Sequence, residues 1–255
     1  MPVYSATGLV LRRTNLAEAD RILTLFTAER GKLSAVAKGA RRVTSRISGA
    51  TEPFTLSRFL LATGKTLDIV SQCEIRCAFS GLRQDLQRIA RATYVCELLD
   101  RFTIEHDDAA AEALLDCAVR ALELLERADT ELDISLHAFE LRMLDIQGYA
   151  PALARCARCG NPVAGGKAGF SPSLGGALCA EDRYRADDAF GVTGATLALM
   201  VALCSLDDAD LAALHPSPRE MAETARAMRW YIRYRLDREL KSAEFLDQLR
   251  AGQST

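Results

Sequence analysis

No stretch of this 255-residue chain is long and apolar enough to suggest a membrane span; the longest apolar run, Ala195 to Cys204, is about half of what a bilayer crossing requires. Met1 to Val10 carries no basic segment ahead of its apolar residues, and Arg12 and Arg13 follow them, the reverse of the order in a secretory signal. The expectation is a cytoplasmic protein without membrane contact. The common enzymatic fingerprints are also missing. No G-x-G-x-x-G opens a helix, no G-x-S-x-G elbow occurs and no H-E-x-x-H is present. Gly64-Lys65-Thr66 resembles the end of a phosphate loop, but Phe59 stands where that loop needs its first glycine, and Leu67 to Val70 reads as a strand instead of a helix. A hairpin turn accounts for it better. Histidine is scarce, and His106, His137 and His215 lie far apart on or beside predicted helices, where surface or helix-end positions are expected. Aromatic residues make up 6% of the chain, too few for a base-stacking platform to dominate a binding surface. No internal repeat or low-complexity tract occurs.

What is present is the composition of an ordinary folded protein, 49% hydrophobic and 26% charged. The net charge of −2 hides an asymmetry. Residues 1–80 hold 12 Lys/Arg against 6 Asp/Glu, net +6, which leaves 20 against 28, net −8, for residues 81–255. A basic head on an acidic body is the footprint of a module that meets phosphate backbones, although a merely solvated basic face has the same composition.

The basic head reads as five short strands, Ala6 to Arg13, Arg21 to Thr27, Leu33 to Lys38, Pro53 to Ala62 and Leu67 to Glu74, each bounded by turn residues. Five strands in so short a segment suit a closed barrel of the OB type, because closure removes exposed edges. Between the third and fourth strands, Gly39 to Thr51 is a polar stretch expected to form an exposed loop. The candidate nucleic-acid-binding cations gather at strand ends and in this loop: Arg12, Arg13, Arg21, Lys32, Lys38, Arg41, Arg42 and Arg46. The barrel aromatics, Tyr4, Phe26, Phe54, Phe59 and Phe79, fall mostly at positions a small barrel would bury, so phosphate contacts should dominate and binding should weaken with salt.

From Gly81 the hydrophobic period becomes helical. Leu82, Leu86, Ile89, Cys96 and Leu99 mark one helix, Leu115, Val119, Leu122 and Leu125 a second, and Leu132, Leu136, Phe139, Met143 and Ile146 a third that stops at Gly148. Helices resume over 196–205 and 218–241. The fold class is therefore α+β: a five-stranded OB-type barrel over 1–80, then a helical bundle over 81–151 and 191–255, interrupted by a knob at 152–190. The carboxylate pairs Asp107-Asp108 and Asp207-Asp208 sit where helices should start and read as caps. On the last long helix, Arg229, Arg233, Arg235 and Arg238 surround Trp230, Tyr231, Ile232 and Tyr234, a pattern equally suited to a core helix with solvated arginines and to a partner groove.

The knob carries the sharpest local signal. Cys156-Ala-Arg-Cys159 is followed, after a Gly/Pro-rich loop, by Cys179-Ala-Glu-Asp182, the spacing of a structural zinc ribbon. Four thiolates are the usual shell, and here the fourth position is Asp182. Either Asp182 or another nearby group completes a weaker zinc site, or the knob has lost its metal and folds by packing alone. Cys73, Cys77, Cys96, Cys117 and Cys204 read as small core hydrophobes.

Taken in order, Leu25-Phe26-Thr27-Ala28-Glu29-Arg30-Gly31-Lys32, Ala37-Lys38-Gly39-Ala40-Arg41-Arg42, Pro53-Phe54, Tyr94, Glu97-Leu98-Leu99, Leu141-Arg142, Gly148-Tyr149, Pro151 and Leu240-Lys241-Ser242 resemble the RecO family from end to end. The resemblance implies a non-enzymatic DNA repair protein with an OB domain, a helical domain and an often zinc-bearing knob. It further implies binding of single- and double-stranded DNA at the nucleoid, annealing of complementary strands, and work with RecR, with the acidic C-terminal tail of single-strand-binding protein and, indirectly, with RecA. Arg142, Arg229, Arg233 and Lys241 are the candidate partner-binding residues. Asp182 departs from the four-cysteine form of the family, which bears on the metal and not on the fold.

Overall fold

Alternation of buried and exposed side chains drives the first strands into a closed sheet. The structure is a computed structural model that describes residues 2–127, 131–163 and 166–253. Strands β1 (Val3–Leu16), β2 (Asp20–Thr27), β3 (Gly31–Ala37), β4 (Leu56–Ala62) and β5 (Asp68–Cys77) form a closed barrel in the order β1-β2-β3-β5-β4. All neighbours are antiparallel except β3 and β5, which run parallel and pair at Ala35 with Asp68 and Val36 with Ile69. On β3 every second residue, from Gly31 to Ala37, is buried, the period a half-buried strand requires. Val10, Leu23, Leu25, Leu33, Phe59, Leu61 and Val70 fill the interior, with Ala6, Ala35, Ala37 and Ala40 where space is short. Phe26, Phe54, Phe59 and Phe79 are buried as expected.

The fourth strand starts later than its sequence suggests. Phe54 takes a positive φ of 69°, so Pro53 to Thr55 turn instead of extending, while Phe54 N–H donates to Val10 O and Val10 N–H to Thr55 O. Gly64-Lys65-Thr66 lies in the turn between β4 and β5, and Gly64 N–H donates to the Asp68 carboxylate, as a hairpin and not a phosphate loop.

The chain divides into two compact units, Met1–Glu126 with Phe245–Thr255, and Arg127–Glu244. In the first, helices α1 (Leu86–Phe102) and α2 (Ala111–Glu126) pack on each other and against the barrel. The Asp85 carboxylate caps α1 by accepting from the N–H groups of Gln87 and Arg88. Lys32 fixes the other end. Its ammonium donates to the carbonyls of Asp100 and Thr103 at 2.5 and 2.6 Å and lies 3.3 Å from the Asp100 carboxylate. A cation at a helix C-terminus satisfies orphan carbonyls and opposes the helix dipole. Gly31, just before it, has a φ of +61°, and a Cβ there would stand 1.9 Å from the carbonyl oxygen of Asp107.

The second unit contains α3 (Leu132–Ile146), α4 (Gly194–Ser205), α5 (Asp208–Ala212), α6 (Pro218–Leu236) and the knob. In the knob, β6 (Lys167–Ser171), β7 (Gly176–Leu178) and β8 (Phe190–Thr193) form a sheet in the order β7-β6-β8. Phe170 of β6 meets Tyr231 of α6 edge to face at 5.9 Å, and the Tyr231 hydroxyl donates to Tyr149 O. Glu223 of α6 accepts from Thr193 N–H and the Thr196 hydroxyl, which joins α6 to the start of α4. Asp207 caps α5 as its position suggested, and Ser217 and Glu220 form a capping box at α6.

Three further expectations fail. The helix read over 218–241 stops at Leu236, because Asp237 adopts a left-handed φ of 51°, and α7 (Lys241–Gln253) starts afresh. His137 is not at a surface: it is buried in α3, with Nδ1 2.6 Å from the equally buried Glu140 carboxylate. Of the five scattered cysteines only Cys96 is buried; Cys73, Cys77 and Cys117 are partly exposed and Cys204 is exposed. No helix among the described residues is long and apolar enough to cross a membrane.

Candidate nucleic-acid interface and metal centre

The eight cations singled out in the barrel separate into two groups. Arg21 and Lys32 are built into the protein: their side chains are 12% and 13% exposed. Arg21 donates to the Thr51 hydroxyl at 2.8 Å and pairs at 3.1 Å with Glu52, whose carboxylate also takes Arg13. One acid thus compensates two arginines, and Arg13 is only partly exposed. The other five are exposed: Arg12, Lys38, Arg41, Arg42 and Arg46. Arg12 is 3.6 Å from Asp100 but its side chain remains 61% exposed.

Four of these five belong to the connection between β3 and β4, and that connection is rooted. Gly39 N–H donates to the Asp20 carboxylate at 2.7 Å, Arg41 N–H to Ala19 O at 2.9 Å, and the Arg41 guanidinium to Ala17 O at 2.8 Å. The turn between β1 and β2 therefore holds the base of the basic loop. Ser45 N–H to Arg42 O and Thr51 N–H to Ser48 O tighten the remainder, which ends in the single turn Gly49–Thr51. Val43 stands fully exposed among the arginines. The aromatic barrel residues are interior apart from Tyr4, which is half-buried, donates to Asp68 and carries Arg30 over its ring at 3.8 Å. Arg30 and Arg58 are exposed cations that strand-end reasoning passed over; Arg58 could have been found from its place between the buried Ser57 and Phe59. Such a surface offers charge to a polyanion and little for bases to stack upon.

In the knob, two tight turns bring the four metal-type residues together. Gly160 N–H donates to Cys156 O across the first, at a glycine φ of +75°, and Asp182 and Arg183 N–H donate to Cys179 O across the second. The sulfurs of Cys156, Cys159 and Cys179 and a carboxylate oxygen of Asp182 all lie within 4.8 Å of one another. Burial works against the Cys156 thiolate, but N–H groups of Cys159, Cys179 and Arg158 outweigh it and draw its pKa below a cysteine's ordinary value. The Asn161 N–H favours the Cys159 thiolate, yet Asp182, Cys156 and Cys179 prevail and push that thiol up to about 12. The opposite directions at the two sulfurs follow from acidic groups sharing one small space, where a charge on one disfavours a charge on the next. Spacings fit zinc in particular. Zn–S bonds of about 2.3 Å and Zn–O bonds of about 2.0 Å give a tetrahedron with S···S edges of about 3.8 Å and S···O edges of about 3.5 Å. Cys159 and Cys179 sulfurs are 3.9 Å apart, and Asp182 Oδ2 is 3.5 Å from both the Cys156 and Cys179 sulfurs.

Of the candidate partner residues, Arg142 donates to Leu206 O within the second unit, Arg233 pairs with Glu239 at 2.6 Å, Arg229 lies 3.9 Å from the same acid, and Lys241 is exposed. The arginine-aromatic helix has a buried face and an exposed one. Tyr231 and Ile232 are core, whereas Trp230 and Tyr234 are about half exposed and line a groove of about 1080 Å³ with Tyr149, Phe190, Arg226 and Arg235.

Comparison with known proteins agrees with this architecture. Residues 1–79 match the family described as Recombination protein O N terminal, and residues 83–244 match Recombination protein O C terminal. The chain is 39% identical over 257 residues to the DNA repair protein RecO of Symbiobacterium thermophilum, covering 99% of this chain and all of that one. It is 40% identical over 248 residues to the DNA repair protein RecO of Pelotomaculum thermopropionicum, covering 97% and 95% of the two chains. With both halves matched and such identity over nearly the whole length, the chain belongs to the RecO family of DNA repair proteins.

Proposed function

We propose that this protein is a recombination mediator that acts without catalysis. It binds single- and double-stranded DNA through the exposed cations of the barrel, anneals complementary strands at the nucleoid and, with RecR, assists the loading of RecA. The observation that carries this reading is the rooted basic loop, with Lys38, Arg41, Arg42 and Arg46 exposed, together with the exposed Arg12 on β1. Cations of this kind offset the mutual repulsion of two strands and leave base pairing to select partners. Arg21 and Lys32 contribute through the shape of the barrel and its helices, since their charges are satisfied internally. The test is annealing of bare complementary oligonucleotides over a salt series. Annealing that is strong in dilute buffer and lost with added salt supports the reading. Absence of annealing at every salt concentration, with the protein folded, overturns it in favour of a scaffold that binds only other proteins.

For the acidic C-terminal tail of single-strand-binding protein, the reading places contact on the second unit, at the groove beside Trp230 and Tyr234. Arg226, Arg233, Arg235 and Arg238 there stand beside aromatic surface, the combination favoured at interaction hot spots, and share the groove with Asp187, Asp188, Asp237 and Glu239. Loss of peptide binding on Trp230→Ala, with an unchanged melting curve, is the expected result.

A further inference from the structure

We propose that Asp182 is a ligand through one oxygen only: Oδ2 takes the fourth corner of a zinc site formed with the sulfurs of Cys156, Cys159 and Cys179, and Arg158 and Arg185 hold Oδ1 away from the metal. The division of labour between the two oxygens carries this. Oδ2 faces the thiols, at 3.5 Å from two of them. Oδ1 faces Nε of Arg158 and Nε of Arg185, each at 3.9 Å. The two arginines come from the two ligand turns, Arg158 lying between Cys156 and Cys159 and Arg185 three residues after Asp182, where its N–H donates to Asp182 O. The carboxylate between them is buried, although both guanidinium groups reach solvent.

Charge makes the arrangement self-consistent. Three thiolates and one carboxylate around a divalent ion leave a net charge of about −2, and two arginines beside the carboxylate balance it. Two cations on the Oδ1 side would favour coordination through Oδ2 alone over chelation by both oxygens. Arg158 and Arg185 are thus positioning residues. A carboxylate oxygen is a harder and weaker partner for zinc than a thiolate, so the metal should exchange more readily here than in a four-cysteine shell.

The full-length protein tests this by zinc analysis, by competition with a chromophoric chelator and by absorption of the cobalt(II)-substituted form. The native protein should hold one zinc per chain. Its sulfur-to-cobalt charge-transfer intensity should be about three-quarters of that of Asp182→Cys, in proportion to the number of thiolates. Asp182→Cys should bind zinc more tightly, whereas Asp182→Ala should lose it to the chelator at least about tenfold more easily. The Arg158→Ala/Arg185→Ala variant should lose affinity about tenfold while retaining three-thiolate intensity. Native protein that is folded yet retains no zinc when supplied with an equivalent overturns the proposal. So does an Asp182→Cys variant whose cobalt spectrum and zinc affinity match those of the native protein. Should Asp182→Ala fail to fold, the Asp182→Cys and arginine variants decide the matter alone, and none of these readouts involves DNA.

Discussion

Replacing Arg41 and Arg42 together by alanine tests the basic loop quantitatively, because both side chains are exposed and neither belongs to the barrel core. Five exposed cations, Arg12, Lys38, Arg41, Arg42 and Arg46, each neutralising one phosphate of a single strand, predict a slope of log affinity against log salt of about −3.5. Removing two brings it to about −2.1. Between 50 and 200 mM salt the native protein should then lose about 130-fold in affinity and the variant about 20-fold, so the two curves converge as salt rises. Arg41 also donates to Ala17 O, and losing that bond should loosen the loop base without disturbing the barrel. Fluorescence anisotropy with a labelled oligonucleotide measures the slopes. Arg101→Ala/Arg120→Ala, two cations removed from α1 and α2, is the charge-matched control and should leave the slope unchanged. An unchanged slope in the Arg41/Arg42 variant, or an equal change in the control, would refute the assignment of binding to the loop.

Lys32→Ala should lower stability by about 1–3 kcal/mol in denaturant melts, since it strips two helix-end carbonyls and Asp100 of their donor, and should leave the salt slope intact. Gly31→Ala places a methyl group against Asp107 O at a left-handed backbone position and should cost on the order of 1–3 kcal/mol by the same measurement, with the substitution folding poorly if the loop before α2 cannot shift. Burial raises the Glu223 carboxyl, but the Thr196 hydroxyl, Arg219 and the Thr193 backbone and side chain outweigh it and draw the pKa down to about 2 from the usual value near 4.5. Its stabilisation is therefore fully present above about pH 4.5 and lost as pH falls toward 2. Glu223→Gln should melt lower than native protein at pH 6, and the difference should shrink on acidification; a constant difference from pH 6 to pH 3 would contradict the linkage.

Local pattern made the barrel legible. Strands such as β3 alternate buried and exposed residues, and the short turns between them admit few other folds. The loop cations were legible for the same reason: a polar stretch between two apolar strands has to lie outside. Non-local pairing was not. Nothing in the chain near Arg13, Arg21 or Lys32 announces that Glu52 and the end of α1 will take up their charges, because these partners are set by closure of the barrel and docking of a helix. His137 was misplaced because a helical period sorts apolar residues and says nothing of a histidine whose buried partner, Glu140, lies one turn away on the same helix. Asp237 ended α6 in a left-handed conformation where the surrounding Leu236, Leu240 and charged residues continue a helical composition. In the knob the spacing identified three sulfurs; that Asp182 brings an oxygen to tetrahedral distance from two of them depended on the fold of two separated turns.

The parallel join between β3 and β5 has a temporal consequence. β1 to β3 can assemble as a meander as soon as residue 37 is available, but the circle cannot shut until Asp68 and Ile69 reach Ala35 and Val36. While the chain is emerging from a ribosome, β3 must therefore wait with one edge open, because β4, made before β5, attaches to β1 and not to β3. The last strand to be made is the one that locks the vessel, so a chain halted before it would carry the phosphate-seeking loop on an unsealed sheet.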